Sequence, residues 1–179
     1  MKKYLILSVF SLLLVSCNKV VEKEIEVSIN PTVIGTWNLD NNQTTDIIVG
    51  DNKNQQIWLE YIKAHNAKDL DKIASMNHED WEGYLFDGSV VKGNKNHINF
   101  LKDWFEASSP KWKTKWMIAN AGVDETSEMT QWLASGDDMK QIDAEGNESL
   151  LHLFHDIQFV DGKIKKIYVY SREPEIAKE

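Results

Sequence analysis

The sequence predicts an α+β domain, with three helices first and a long antiparallel meander packed beneath them. Three observations predict it. Apolar side chains recur at helical spacing in several runs between residues 54 and 108. They alternate at period two after Pro110. Turn residues divide that second half into successive strands, and helices followed by strands make an α+β arrangement.

The chain opens with Lys2 and Lys3, followed by an apolar run from Tyr4 to Val15. That run is shorter than the about 20 residues a membrane-spanning helix needs, and its layout is that of a secretory signal. It ends Leu14-Val15-Ser16-Cys17, a small residue before the chain's single cysteine. With one cysteine there is no intramolecular disulfide and no second thiol for a zinc site.

Residues 17–53 read as a tether and lead-in. Glu22-Lys23-Glu24-Ile25-Glu26 is charged, Asn30-Pro31 breaks the chain, and Thr32 to Trp37 is a candidate short strand. Asn41 to Thr45 and Asp51 to Asn54 read as loops. Helical spacing then begins, with Ile57, Trp58, Tyr61, Ile62 and His65 on one face and Asn54 as the predicted cap. Asp69 caps a second, shorter helix with Leu70 and Ile73 inward. Trp81–Leu85 and Val90-Val91 flank Asp87-Gly88 as a hairpin. A third helix starts at Asn94, carries Ile98, Leu101, Trp104 and Phe105, and is stopped by Pro110.

In the strand half, Trp112, Thr114, Trp116 and Ile118 alternate with Lys111, Lys113 and Lys115. Strands follow over 129–142, 150–160 and 163–171, and 174–179 is a short tail. Ile164 and Ile167 cannot share a face on a regular strand. Either a bulge separates them or both faces are partly buried, and the second option fits a homodimer through the sheet.

Two resemblances follow from these residues. Leu14-Val15-Ser16-Cys17 resembles the lipobox of bacterial lipoproteins. It implies removal of residues 1–16, acylation of Cys17, and a domain anchored in the cell envelope outside the cytoplasm. The order of elements from Asn54 to Arg172 resembles the nuclear-transport-factor-2-like (NTF2-like) superfamily in its SnoaL-like branch. Asn66-Ala67-Lys68-Asp69-Leu70-Asp71, Phe86-Asp87-Gly88-Ser89-Val90-Val91-Lys92-Gly93 and Phe159-Val160-Asp161-Gly162-Lys163-Ile164 carry that resemblance. It implies a cone over residues 54–173, with three N-terminal helices on a curved antiparallel (mixed) sheet, a pocket between them, and often a dimer. Gly35-Thr36-Trp37 also resembles the start of lipocalin-like barrels, but helices follow where a barrel needs strands.

The formal charge is −8, and it becomes two units more negative once Lys2 and Lys3 are removed. Such a chain is repelled by nucleic-acid phosphates and anionic headgroups. The lysines around Trp112 and Trp116 therefore read as a solvated strand face. No nucleic-acid partner is expected, and the membrane is reached through Cys17. His-Glu-x-x-His, phosphate-loop and dinucleotide signatures do not occur, so neither metal nor cofactor is predicted. His152 and His155 lie on opposite faces of one strand and cannot chelate a single ion.

The strand over 150–160 carries the leading candidate. Leu151, Leu153, His155, Ile157 and Phe159 form its apolar face, so His155 is predicted inward as a general acid or base. Tyr84, Trp116, Trp132, Tyr168 and Tyr170 are predicted aromatic lining, with Tyr84, Trp116, Trp132, His155 and Tyr168 as the ligand set. His65, His78 and His97 read as surface or helix-end residues. Ketosteroid isomerases share the expected fold and carry an Asp base in the first hairpin, a position that falls near Leu85 here. An apolar side chain cannot take a proton. The sequence thus places binding of a small, mostly apolar molecule first and proton-transfer catalysis by His155 second. A pocket in which His155 reaches Asp, Glu or Tyr reverses that order. A solidly filled interior leaves only a partner-binding surface.

Overall fold

The computed structural model describes residues 30–173. The expected signal segment, Cys17 and the tail over 174–179 lie outside the described residues.

In chain order the elements are β1 (Val33–Asn38), β2 (Thr44–Val49), α1 (Lys53–Ala67), α2 (Leu70–Met76), β3 (Asn77–Tyr84) and β4 (Val90–Lys92). They continue with α3 (Asn94–Ser108), β5 (Lys111–Val123), β6 (Met129–Ile142), β7 (Glu148–Val160) and β8 (Lys163–Arg172). The eight strands form one sheet in the order β1-β2-β5-β6-β7-β8-β3-β4. All neighbours are antiparallel except β3 and β8, which run parallel.

The helices do not lead the chain, contrary to the expectation from sequence. A hairpin precedes them, and the sheet reaches back to Val33 rather than starting beyond Asn54. Ile47, Ile48 and Val49 pair with Gly122, Ala121 and Asn120, which ties β2 to the edge of β5. Trp37 meets Trp132 edge-on at 6.3 Å. The run Thr44-Thr45-Asp46-Ile47-Ile48-Val49 is rich in β-branched residues. The polar turn before it gives the segment its loop-like look.

Helix α1 buries Trp58, Tyr61, Ile62, Ala64 and His65, the face its spacing predicts. Its start differs from expectation. Asn52 is the cap residue, Asp51 Oδ1 accepts the Lys53 amide at 2.9 Å, and Asn54 is buried in the first turn. Asp69 does cap α2, accepting the Lys72 amide at 2.9 Å. Gly93 lies between β4 and α3 at φ 83°, a conformation that favours glycine. Helix α3 buries His97, Leu101 and Phe105 and ends at Ser109 before Pro110.

Two β-bulges set which side chains face the helices. The first lies between Thr114 and Trp116, leaving Lys115 without a partner on β6. Before it, Trp112 is buried and Thr114 half-buried; after it, Trp116 and Ile118 are exposed while Ala119 and Ala121 are buried. The second skips Lys165 on β8, so Ile164 and Ile167 are both buried on the helix side. That pair therefore gives no support to a dimer.

The core between helices and sheet gathers Trp58, Ile73, Leu101, Leu133, Ile157 and Ile164. Each is at most 2% exposed. Burying such side chains contributes about 1.5–3 kcal/mol apiece before conformational entropy is charged against it.

Candidate active site

The site is built on β6 and β7, whose inward residues alternate with outward ones. On β6, Leu133, Ser135, Asp137 and Met139 are buried; on β7, Leu153, His155, Ile157 and Phe159 are buried. The register places Ser135 opposite His155 and Asp137 opposite Leu153, so Asp137 and His155 are diagonal neighbours. Diagonal positions are within reach of long side chains. His155 Nδ1 lies 2.9 Å from Asp137 Oδ2.

Asp137 is a buried carboxyl, and its residue is 2% exposed. Ser135 Oγ donates to Oδ2 at 2.8 Å, and Thr114 Oγ1 donates to Oδ1 at 2.5 Å from the neighbouring strand. Trp58 Nε1 donates to Ser135 Oγ at 3.0 Å, linking α1 to the network. Burial alone pushes the Asp137 carboxyl up. The bonds from His155, Thr114 and Ser135, with the His155 charge, outweigh it and hold the pKa below the usual carboxylate value. Asp137 is therefore ionised and accepts only. In the tautomer that this bond selects, His155 Nδ1 carries the proton of the shared bond and Nε2 the lone pair.

His155 lines a cavity of about 350 Å³ between the sheet and the helices. Trp58, Trp81, Phe100, Trp104, Trp112 and Ile167 form much of its wall. That volume lies at the lower end of small-molecule sites. Trp58 packs against the His155 ring at 5.1 Å while its Nε1 bonds Ser135. The interior is neither solid nor polar. The arrangement can hold a small apolar molecule against an imidazole whose tautomer is fixed.

His65 also lines the cavity. Its Nδ1 meets the Tyr61 carbonyl at 2.8 Å. Burial lowers its pKa to about 4, against the raising effect of that carbonyl and with a further lowering by the His155 charge. The ring is therefore neutral at ordinary pH. His97 stacks on Trp81 at 3.7 Å and meets Asn77 Nδ2 at 3.0 Å. Its pKa is also well below the ordinary value, through burial and then the His65 charge. His65 and His97 are thus buried core residues rather than the surface residues expected; His78 is half-buried. The helical spacing already put His65 in line with Trp58 and Tyr61, which was the signal for it.

The predicted aromatic set separates. Trp116 does not share the cavity with His155. The bulge at Lys115 turns it to the outer face, where it is 45% exposed and contacts Phe154 at 5.9 Å. A Cβ on Gly136 would lie 2.2 Å from its indole, so the glycine seats the ring. Trp132 and Tyr168 line a different groove on the outer face, together with Trp37, Asp156 and Lys166. There burial pushes the Asp156 carboxyl up to about 6. Tyr84 stacks on Tyr168 at 4.7 Å and donates to Glu82 at 2.8 Å. Tyr170 is exposed. His155 is the member of the set at the cavity.

Asp137 was not foreseen. The alternation of Leu133, Ser135, Asp137 and Met139 was nevertheless available to place it inward. Asp138 faces out and meets His152 Nδ1 at 2.8 Å, so the two adjacent aspartates pair with two histidines on opposite faces. Among the described residues, no group of three His, Cys, Asp or Glu side chains converges to hold a metal ion. Leu85 lines the cavity, and Asp87 at its rim accepts the Ser89 amide at 2.9 Å as a turn residue.

No family model matches the sequence, and no curated protein matches it. Solved structures do match the fold. An NTF2-like protein of unknown function from Burkholderia pseudomallei aligns with TM-score 0.56 at 14% identity, over 67% of this chain and 91% of its own. An LEH-like epoxide hydrolase from M. tuberculosis aligns with TM-score 0.55 at 12% identity, over 67% and 83%. A candidate SnoaL-like polyketide cyclase from Shewanella denitrificans aligns with TM-score 0.54 at 13% identity, over 68% and 92%. The fold is NTF2-like. At these identities the likeness establishes architecture, and chemistry has to be argued from the site.

Proposed function

We propose that the domain is an enzyme whose His155 transfers a proton on a small, mostly apolar organic substrate held in the helix–sheet cavity. The observation that carries this reading is the 2.9 Å bond between His155 Nδ1 and the buried, ionised Asp137. A binding pocket for an apolar molecule has no use for a carboxylate fed by three donors. The arrangement fixes the tautomer that leaves Nε2 basic, and it stabilises the imidazolium formed when Nε2 takes up a proton. The aromatic wall limits competing water. The presence of hydrolase and cyclase neighbours on the same fold is consistent with this reading and does not choose the reaction.

Mechanistically, Nε2 removes a proton from a carbon or oxygen of the substrate while Asp137 balances the new charge. The same imidazolium then returns a proton at a second atom, which completes an isomerisation, elimination or ring closure without net proton change. The experiment is to incubate the full chain in D2O with a panel of apolar ketones and hydroxyketones and read deuterium uptake by mass spectrometry. Uptake by at least one compound, reduced 100-fold or more in His155→Ala, is the expected result. Tight binding of a panel compound without exchange would return the domain to the binding reading. The same proposal places the domain at the cell envelope through acylated Cys17, on the strength of Lys2, Lys3, the apolar run and Ser16-Cys17.

A further inference from the structure

His65 has no part in the proton transfer just described, yet it is a buried imidazole on the wall of the same cavity. Its Nδ1 donates to a backbone carbonyl, that of Tyr61, at 2.8 Å. A carbonyl oxygen only accepts, so Nδ1 holds the proton and Nε2 holds the lone pair. Among the described residues Nε2 has no hydrogen-bond partner. It is not sealed from solvent either: the sealed, unpartnered side-chain nitrogens are Asn54 Nδ2 and Trp81 Nε1. His65 lines the cavity, so the cavity is the space that an unbonded, unsealed Nε2 can address.

We propose that His65 Nε2 is a fixed hydrogen-bond acceptor for the substrate, and that the substrate carries a hydroxyl or N–H group at the end of the cavity away from His155. The proposal rests on the cavity being the substrate site. Trp58, Tyr61 and His65 follow one another along a single face of α1. Trp58 touches His155, and Tyr61 touches His65 at 4.4 Å. His65 follows Trp58 by seven positions along the helix, a rise of roughly 10 Å. The two imidazoles therefore address opposite ends of a molecule about two rings long.

The other polar groups on the wall do not compete for this role. The Tyr61 hydroxyl is already donated to Asn77 Oδ1 at 2.8 Å. Asp87 is exposed at the hairpin and Gln141 is half-buried near the end of β6. Burial, with the His155 charge adding to it, keeps His65 neutral. Protonation of His155 during turnover thus does not convert His65 from acceptor to donor. A ligand offering only a carbonyl or ether at this end would meet lone pair with lone pair and leave a buried acceptor unpaired.

Isothermal titration of the full chain with 2-naphthol and with 2-methoxynaphthalene tests this directly. The naphthol is expected to bind about ten-fold tighter, the size of one unpaired buried acceptor. In His65→Phe the gap closes through loss of naphthol affinity, while in His155→Phe it persists. As a check that needs no variant, the imidazole nitrogen NMR signal of His65 Nε2 should start in the unprotonated range and move on adding naphthol but not the ether. Equal affinity of the two probes, or a gap that survives in His65→Phe, would overturn the role of His65 and leave that of His155 intact. Failure of both probes to bind would instead overturn the cavity, and both proposals with it.

Discussion

His155 and Asp137 stand on adjacent strands as diagonal neighbours, joined by a 2.9 Å hydrogen bond, and His155 lines a cavity walled mostly by aromatic and aliphatic side chains. The bond assigns each partner a state: the carboxylate is ionised and the imidazole is protonated on Nδ1. Replacing Asp137 with Asn keeps the shape and removes the charge. Activity should fall by 10²–10⁴, the range for loss of a charge that orients and supports a catalytic imidazole. Nitrogen NMR of His155 should show the tautomer mixed in Asp137→Asn and single in the parent. A purely structural role for Asp137 would leave the tautomer unchanged.

Thr114 reaches Asp137 Oδ1 at 2.5 Å from β5. Thr114→Val conserves volume and removes the donor, so it should lower stability by about 1–3 kcal/mol. Urea unfolding at neutral pH reads this, and Thr114→Ser should recover most of the loss. No change in Thr114→Val would mean that the hydroxyl does not support the carboxylate.

Acid sensitivity follows from the buried histidines. His65 titrates near 4 in the folded chain and near 6.5 unfolded. Between those values the unfolded chain binds the extra proton, so stability is full above pH 6.5 and falls as pH drops toward 4. For His65 the total loss is roughly 3 kcal/mol. His97, lowered in the same direction, adds to it. Denaturation midpoints across this range should decline in the parent and decline less steeply in His65→Phe.

Gly136 and Trp116 make a paired prediction on the outer face. A methyl group at position 136 would meet the Trp116 indole at 2.2 Å. Because that ring is half-exposed and can swing away, Gly136→Ala should cost only about 1 kcal/mol. The cost should vanish in the Trp116→Ala background, which a double-mutant cycle measures. Additive effects would contradict the contact.

The proposed envelope anchor makes its own prediction. Cells fed a labelled fatty acid should label the parent chain, and Cys17→Ser should abolish the label and release the protein from membranes. Label retained in Cys17→Ser would exclude this cysteine as the acylated residue.

Much of this architecture was legible because regular elements declare their faces. The spacing of Ile57, Trp58, Tyr61, Ile62 and His65 marked the buried face of α1, and the alternation through Leu151 to Phe159 turned His155 inward. What failed did so where regularity is broken. One unpaired residue, Lys115, inverts the faces of β5 and carries Trp116 outside. Nothing local in Lys113-Thr114-Lys115-Trp116 signals that break, since a bulge is set by pairing with a distant strand. The β1–β2 hairpin was read as lead-in because its turn is polar and its worth lies in edge pairing with β5. Asp137 was missed for a different reason. Charged side chains are seldom buried unless paired, and the three donors that make its burial tolerable come from β5, β6 and β7.

The outward twin of the dyad offers the sharpest test. Asp138 and His152 form a similar bond at 2.8 Å on the opposite face of the same two strands, away from the cavity. Take the panel compound that exchanges fastest and measure its turnover in His155→Ala and in His152→Ala, side by side. Inward catalysis predicts a collapse in the first and near-parental rates in the second. Comparable losses in the two, or the larger loss in His152→Ala, would contradict it.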